Sequence, residues 1–122
     1  VVFKDDTANA FALPGGKIGV HTGILKVAKT DGQLAAVLGH EVGHVIARHG
    51  AERVSQAITA QGLMIGAGVA MKDNPNAGLL LGALGVGAQF GVLMPFGRKQ
   101  ESESDVIGLD LISRVDAAVR AR

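Results

Sequence analysis

From Leu34 onward, apolar residues recur three or four positions apart: Leu34, Val37, Leu38, Val42, Val45 and Ile46. That spacing lines one face of an α-helix. The run is preceded by Thr30-Asp31-Gly32-Gln33, a capping-box pattern in which Thr30 is the N-cap and Gln33 can reach back to it. The pattern predicts a helix over about residues 31–48. Gly39 and Gly43 lie inside it, each costing about 1 kcal/mol against alanine. Their presence predicts that another backbone, or a substrate, comes close to this face. Arg48 to Gln56 is polar and is expected to continue as helix after a break near Gly50.

Upstream, Phe11-Ala12-Leu13 runs into the turn cluster Pro14-Gly15-Gly16, and Lys17-Ile18-Gly19-Val20-His21 alternates. A hairpin or two-stranded edge is expected here, with a short helix or turn between Thr22 and Lys29. Downstream of Ala57 the polar positions thin out. Gly62 to Met71 is apolar, Lys72-Asp73-Asn74-Pro75-Asn76 is a turn, and Ala77 to Gly97 has no charge. Residues 57–97 therefore read as a Gly-rich apolar helical hairpin, buried or grazing a membrane. The alternative is a membrane span by residues 77–97, whose length of about 21 residues suffices for a bilayer core. Amphipathic helix is expected again over 98–114. The class is α+β, mainly helical with a small edge sheet.

Composition narrows the chemistry. A chain of 122 residues is at most one small domain, and it reads as a piece of something longer. Its net charge is +1, its basic residues are scattered, and its only aromatics are four Phe, so no nucleic-acid footprint is visible. With no Cys, a disulfide scaffold and a thiolate metal site are both excluded. Any zinc must be held by His and carboxylate.

His40-Glu41-Val42-Gly43-His44 is such a site in outline. It is H-E-x-x-H within the predicted helix, so both imidazoles project from nearly one face, with Glu41 beside them. A catalytic zinc needs one more protein ligand and an open position for water. The candidate lies in Glu101-Ser102-Glu103-Ser104-Asp105. Glu101 and Asp105 are four apart and share a face; Glu101 can coordinate while Asp105 accepts the free ring N–H of a metal-bound histidine. Glu103 is the alternative ligand. His49, roughly 140° round a continuing helix from His44, reads as a helix-end or surface histidine.

Three blocks now stand in order: Asn9 to Gly16, His40 to His49, and Arg98 to Asp105. Together they resemble the zinc metallopeptidase family of the HtpX heat-shock protease and the C-a-a-X prenyl endopeptidase, nearest its BepA/LoiP-like branch of the bacterial envelope. The resemblance implies a zincin-like fold and a gluzincin site. In it one Zn2+ is held by His40, His44 and Glu101, Glu41 is the general base, and Asp105 supports His40. It implies that the strand around Asn9, Ala10, Phe11 and Ala12 pairs with an extended polypeptide substrate. The expectations that follow are a single catalytic domain over 1–122, endopeptidase activity on extended or misfolded proteins, and a place in the bacterial periplasm or at its membranes. Two departures stand out. Ser104 and Val106 replace residues usual around the supporting Asp, and for oxyanion stabilisation this stretch offers only Arg98 or His21. A non-catalytic, zinc-stabilised chaperone-like or membrane-docking module is the competing reading.

Overall fold

A hairpin and one extra short strand begin the chain. The computed structural model describes residues 1–122. Strand β2 (Ala10–Leu13) turns through Pro14-Gly15-Gly16 into β3 (Lys17–His21), antiparallel, with Ala10 opposite Val20 and Leu13 opposite Lys17. Gly15 and Gly16 have φ of 93° and 79°, left-handed values that glycine adopts without a Cβ clash. The expected hairpin thus gains a third member: β1 (Val2–Phe3) pairs parallel to β3, giving the order β1-β3-β2. Asp5 ties the loop after β1. Its carboxylate accepts from the Thr7 hydroxyl at 2.6 Å and the Thr7 N–H at 2.8 Å, which together with His21 hold its pKa below the ordinary value. A short 3-10 turn, Thr22–Lys26, follows β3.

Helix α1 (Asp31–Ile46) starts where the capping box predicts. The Gln33 N–H donates to Thr30 Oγ1 at 3.2 Å, and Gln33 Oε1 accepts from the N–H groups of Thr30 and Lys29. The interruption expected near Gly50 falls earlier. Ala47 ends α1, and Arg48 takes φ of 59°, a left-handed conformation unusual for a residue with a side chain. No glycine marks that turn, so the helix-breaking residue two positions on drew the prediction to itself.

Helix α2 (His49–Ala70) merges the polar stretch with the first apolar arm. After the turn, α3 (Ala77–Ala88), a π-helical turn (Gln89–Leu93) and α4 (Met94–Arg120) follow in unbroken helical backbone. The acid-bearing helix is therefore longer than 98–114 at both ends, because nothing between the apolar run and the acids stops it.

The chain divides into two units. One comprises Val1–His49 with Gln100–Arg122, the other Gly50–Lys99. In the first, α1 packs against β2, and Ala10, Ile24 and Ala28 are the buried apolar residues. The contact between α1 and α4 is made by backbone on backbone. A Cβ on Gly43 would stand 2.7 Å from the Ser104 carbonyl oxygen, and one on Gly108 2.8 Å from the Gly39 carbonyl carbon. The close approach expected at Gly39 and Gly43 is thus helix α4. In the second unit the apolar side chains face outward: Leu63, Ile65, Val69, Leu79, Val86, Phe90 and Val92 are all exposed. The helix from Ala77 is long and apolar enough to cross a membrane, with a mean hydropathy of 1.8 over its most apolar window and none of that window buried.

Candidate metal centre

Helix geometry brings the two H-E-x-x-H imidazoles together, and the small-residue contact with α4 delivers the acid. His40 Nε2 and His44 Nε2 are 3.0 Å apart. Glu101 Oε2 lies 3.1 Å from the first and 3.4 Å from the second. Around a tetrahedral zinc with bonds of about 2.0–2.2 Å, ligand atoms stand about 3.3–3.6 Å apart. The three donors therefore already sit close to the spacing one ion imposes, and their chemistry, two imidazoles and one carboxylate, is that of a catalytic zinc set. His40, His44 and Glu101 fit a metal.

Supporting contacts follow the same logic. Asp105 Oδ1 is 2.7 Å from His40 Nδ1. With Nδ1 donating to that carboxylate, Nε2 presents a lone pair toward Glu101 and His44, where acceptors converge and a cation satisfies them. Ser104, fully buried, donates its hydroxyl to the His40 carbonyl. This residue thus pins the turn of α1 that carries His40. Glu41 is half-buried and lies about 100° round α1 from His40. The Glu101 side chain is 51% exposed, so the donor cluster is open to solvent on its α4 side.

The remaining predicted residues are placed as follows. Ala10, Phe11 and Ala12 lie on β2, with Asn9 just before it, and β2 is an edge of the sheet. The Asn9 carbonyl accepts the His21 N–H at 2.9 Å, and the Val20 N–H turns the other way, to Val1. By the alternation of antiparallel pairs, the backbone groups of Asn9 and Phe11 face β3 and those of Ala10 and Ala12 point away from it, Ala10 buried and Ala12 half-buried. His21 is engaged by Thr7 Oγ1 at 2.7 Å and packs edge-on against the stacked rings of Phe3 and Phe11, within the sheet. Arg98 belongs to the Gly50–Lys99 unit.

One expectation holds only in half: His49 does stand at a helix end, as the first residue of α2. His49 is not a surface residue: it is 1% exposed, among the most buried side chains of the chain. Its Nδ1 lies 2.8 Å from His44 Nδ1, and its Nε2 lies 3.2 Å from Glu103 Oε2. The 140° offset held only for a continuing helix; the left-handed Arg48 turns the chain and brings His49 back. Glu103, the alternative metal ligand, is placed on His49 instead.

Two histidines one turn apart, a carboxylate from a second helix and an adjoining glutamate form a donor set of the kind that a zincin-type metallopeptidase uses. The profile of Peptidase family M48 matches residues 1–122, and the chain belongs to that family. Among relatives, it is 42% identical over 115 residues to the mitochondrial metalloendopeptidase OMA1 of Schizosaccharomyces pombe, covering 93% of this chain and 32% of that protein. Its Arabidopsis thaliana counterpart is 40% identical over 114 residues, covering 93% and 22%. The beta-barrel assembly-enhancing protease of Escherichia coli is 32% identical over 120 residues, covering 93% and 24%. The chain thus spans a third or less of the length of these relatives. The expected place in the bacterial envelope is corrected by the same comparison, since the identities of 40% and above are to proteins named mitochondrial. The motif residues encode metal chemistry shared by both branches and carry no address.

Proposed function

We propose that this chain is the catalytic core of a zinc-dependent endopeptidase that cleaves extended or misfolded polypeptides in protein quality control. The observation that carries the reading is the convergence of His40 Nε2, His44 Nε2 and Glu101 Oε2 within 3.0–3.4 Å of one another, with Glu41 beside them. His40, His44 and Glu101 hold the ion, and Asp105 fixes the His40 ring with Nδ1 as donor. Zinc, when bound, supplies Lewis acidity toward a scissile carbonyl and makes water a better nucleophile at neutral pH. Glu41 takes the proton of the attacking water and returns it to the leaving amine. The open edge of β2, through the backbone groups of Ala10 and Ala12, pairs with the substrate main chain. Such pairing reads extended shape rather than sequence, which suits damaged proteins as substrates. Three converging protein donors and a half-exposed Glu101 favour this reading over a closed structural zinc.

Two further parts of the reading rest on narrower support. The exposed apolar faces of 57–97 favour contact with a membrane, as a hairpin or through the helix from Ala77. The names of the relatives at 40–42% identity support a mitochondrial setting.

The test is zinc quantification with a casein-degradation assay, with and without chelator, on wild type and Glu41→Gln. Wild type should carry one zinc and lose activity to the chelator. Glu41→Gln should keep its zinc and lose roughly 10²–10⁴-fold in rate. Full activity in Glu41→Gln, or a wild type that cleaves without metal, overturns the proposal.

A further inference from the structure

We propose that His49 and Glu103 are positioning residues that lock the His44 ring in its metal-binding tautomer. This rests on the metal site proposed above. His40 has a carboxylate directly on its Nδ1, from Asp105. His44 has none. Its Nδ1 faces another imidazole nitrogen, His49 Nδ1, at 2.8 Å, and the far side of that ring meets Glu103 Oε2 at 3.2 Å.

Proton counting gives this chain a direction. One proton occupies the line between the two Nδ1 atoms. If His44 carries it, His44 Nε2 is a lone pair aimed at His40 and Glu101, and neutral His49 bears its own proton on Nε2, where it donates to Glu103. If His49 carries it, His44 is protonated on Nε2 and faces the donor cluster with a hydrogen, while a lone pair on His49 Nε2 meets the Glu103 carboxylate. The second arrangement sets acceptor against acceptor in a place closed to water on the His49 side, where the ring is 1% exposed. Between these two arrangements Glu103 selects the first and His49 transmits the selection; a cation on His44 Nε2 also rules out a doubly protonated His49, whose Nδ1–H would face the Nδ1–H of His44.

The backbone is built to permit it. Glu103 is two residues from Glu101 and from Asp105, about 200° round α4 from either, so it cannot share their face. The left-handed turn at Arg48 carries His49 off the α1 axis to bridge the gap. Three neighbouring acids of α4 then have three separate targets: Glu101 the donor cluster, Asp105 the His40 ring, and Glu103 the His49 ring.

The experiment uses the whole 122-residue chain, loaded with zinc. Long-range 1H–15N correlations of the histidine rings read the tautomers, and chelator competition reads zinc affinity. Wild type should show His44 protonated at Nδ1 and His49 at Nε2. His49→Leu and Glu103→Leu should each weaken zinc binding about 10–100-fold. His49→Asn should recover much of the loss, because its Oδ1 stands near the position of the lost acceptor Nδ1. Glu103 is half-exposed, so its replacement tests the relay without emptying a buried site. A Glu103→Leu protein with wild-type zinc affinity and unchanged tautomers overturns the inference, as does a His49→Asn protein that binds zinc no better than His49→Leu. A wild type that takes up no zinc sinks the proposed function and this inference with it, whereas unaffected variants of a zinc-binding wild type sink the inference alone.

Discussion

Replacing Gly43 by alanine tests whether the α1–α4 contact sets the metal site. The added Cβ would stand 2.7 Å from the Ser104 carbonyl oxygen, 2.7 Å from Ser104 Oγ and 3.1 Å from Ser104 Cα. The hydroxyl can rotate, at the loss of its bond to the His40 carbonyl. The carbonyl and Cα belong to the α4 backbone and cannot. Ordinary contact begins at 3.4 Å, so the two helices must part by about 0.7 Å, or tilt to the same effect. Overpacking of this kind costs roughly 1–3 kcal/mol. Better helix propensity returns about 1 kcal/mol. The net loss of stability is therefore modest, about 0–2 kcal/mol.

Metal binding should suffer more than stability. Glu101 lies on α4 less than one turn from Ser104, so its carboxylate moves with the displaced backbone. A shift of 0.7 Å exceeds the roughly 0.2 Å tolerance of zinc–ligand distances. Urea unfolding of the metal-free protein gives the stability change, and competition with a chromophoric chelator gives the affinity. Gly66→Ala on α2 is the control: nothing lies within 4 Å of its Cβ, and it should gain up to about 1 kcal/mol with zinc affinity unchanged. If Gly43→Ala were as stable as Gly66→Ala and bound zinc like wild type, close backbone packing would not be what holds the ligands in register.

Glu101→Ala should release zinc at chelator concentrations that wild type withstands, read by elemental analysis; unchanged content would return Glu103 to the ligand set. Ala12→Pro removes an N–H that faces the open edge of β2 while sparing the β2–β3 ladder, so zinc content should hold while kcat/KM for peptide cleavage falls at least several-fold. Undiminished cleavage in that variant would show that substrate does not pair there. Vesicle flotation addresses residues 57–97: the chain should float with vesicles, and serine at Leu79, Val86 and Phe90 should abolish it. Flotation that ignores those substitutions would place the contact elsewhere.

What was legible in the sequence shares one property: it is local. The capping box at Thr30 and Gln33, the one-turn spacing of His40 and His44, and the shared face of Glu101 and Asp105 all follow from helix periodicity within a few residues. Even the glycines at 39 and 43 pointed to a close neighbour, although not to which one. His49 was misread because its position depends on a single non-glycine residue, Arg48, adopting φ of 59°. No residue type announces that conformation, whereas Gly50, which would, lies in regular helix. Ser104, which helix periodicity shows only as a neighbour of Asp105, is fully buried and bonded to the backbone of the turn that carries His40.

The burial of His49 and of Ser104 has one cause. Once α4 is drawn against α1 at backbone distance by Gly39, Gly43, Ser104 and Gly108, polar groups trapped beside the contact must find partners among themselves. The Ser104 hydroxyl takes the His40 carbonyl, and the buried His49 ring takes His44 on one side and Glu103 on the other. The demands of a tight, small-residue interface and of a rigid ligand set are thus met by the same hydrogen bonds. Loosening the packing and unlocking the His44 ring should accordingly couple: Gly43→Ala combined with His49→Leu should lose less zinc affinity than the sum of the two in free energy, and strict additivity would separate the two roles.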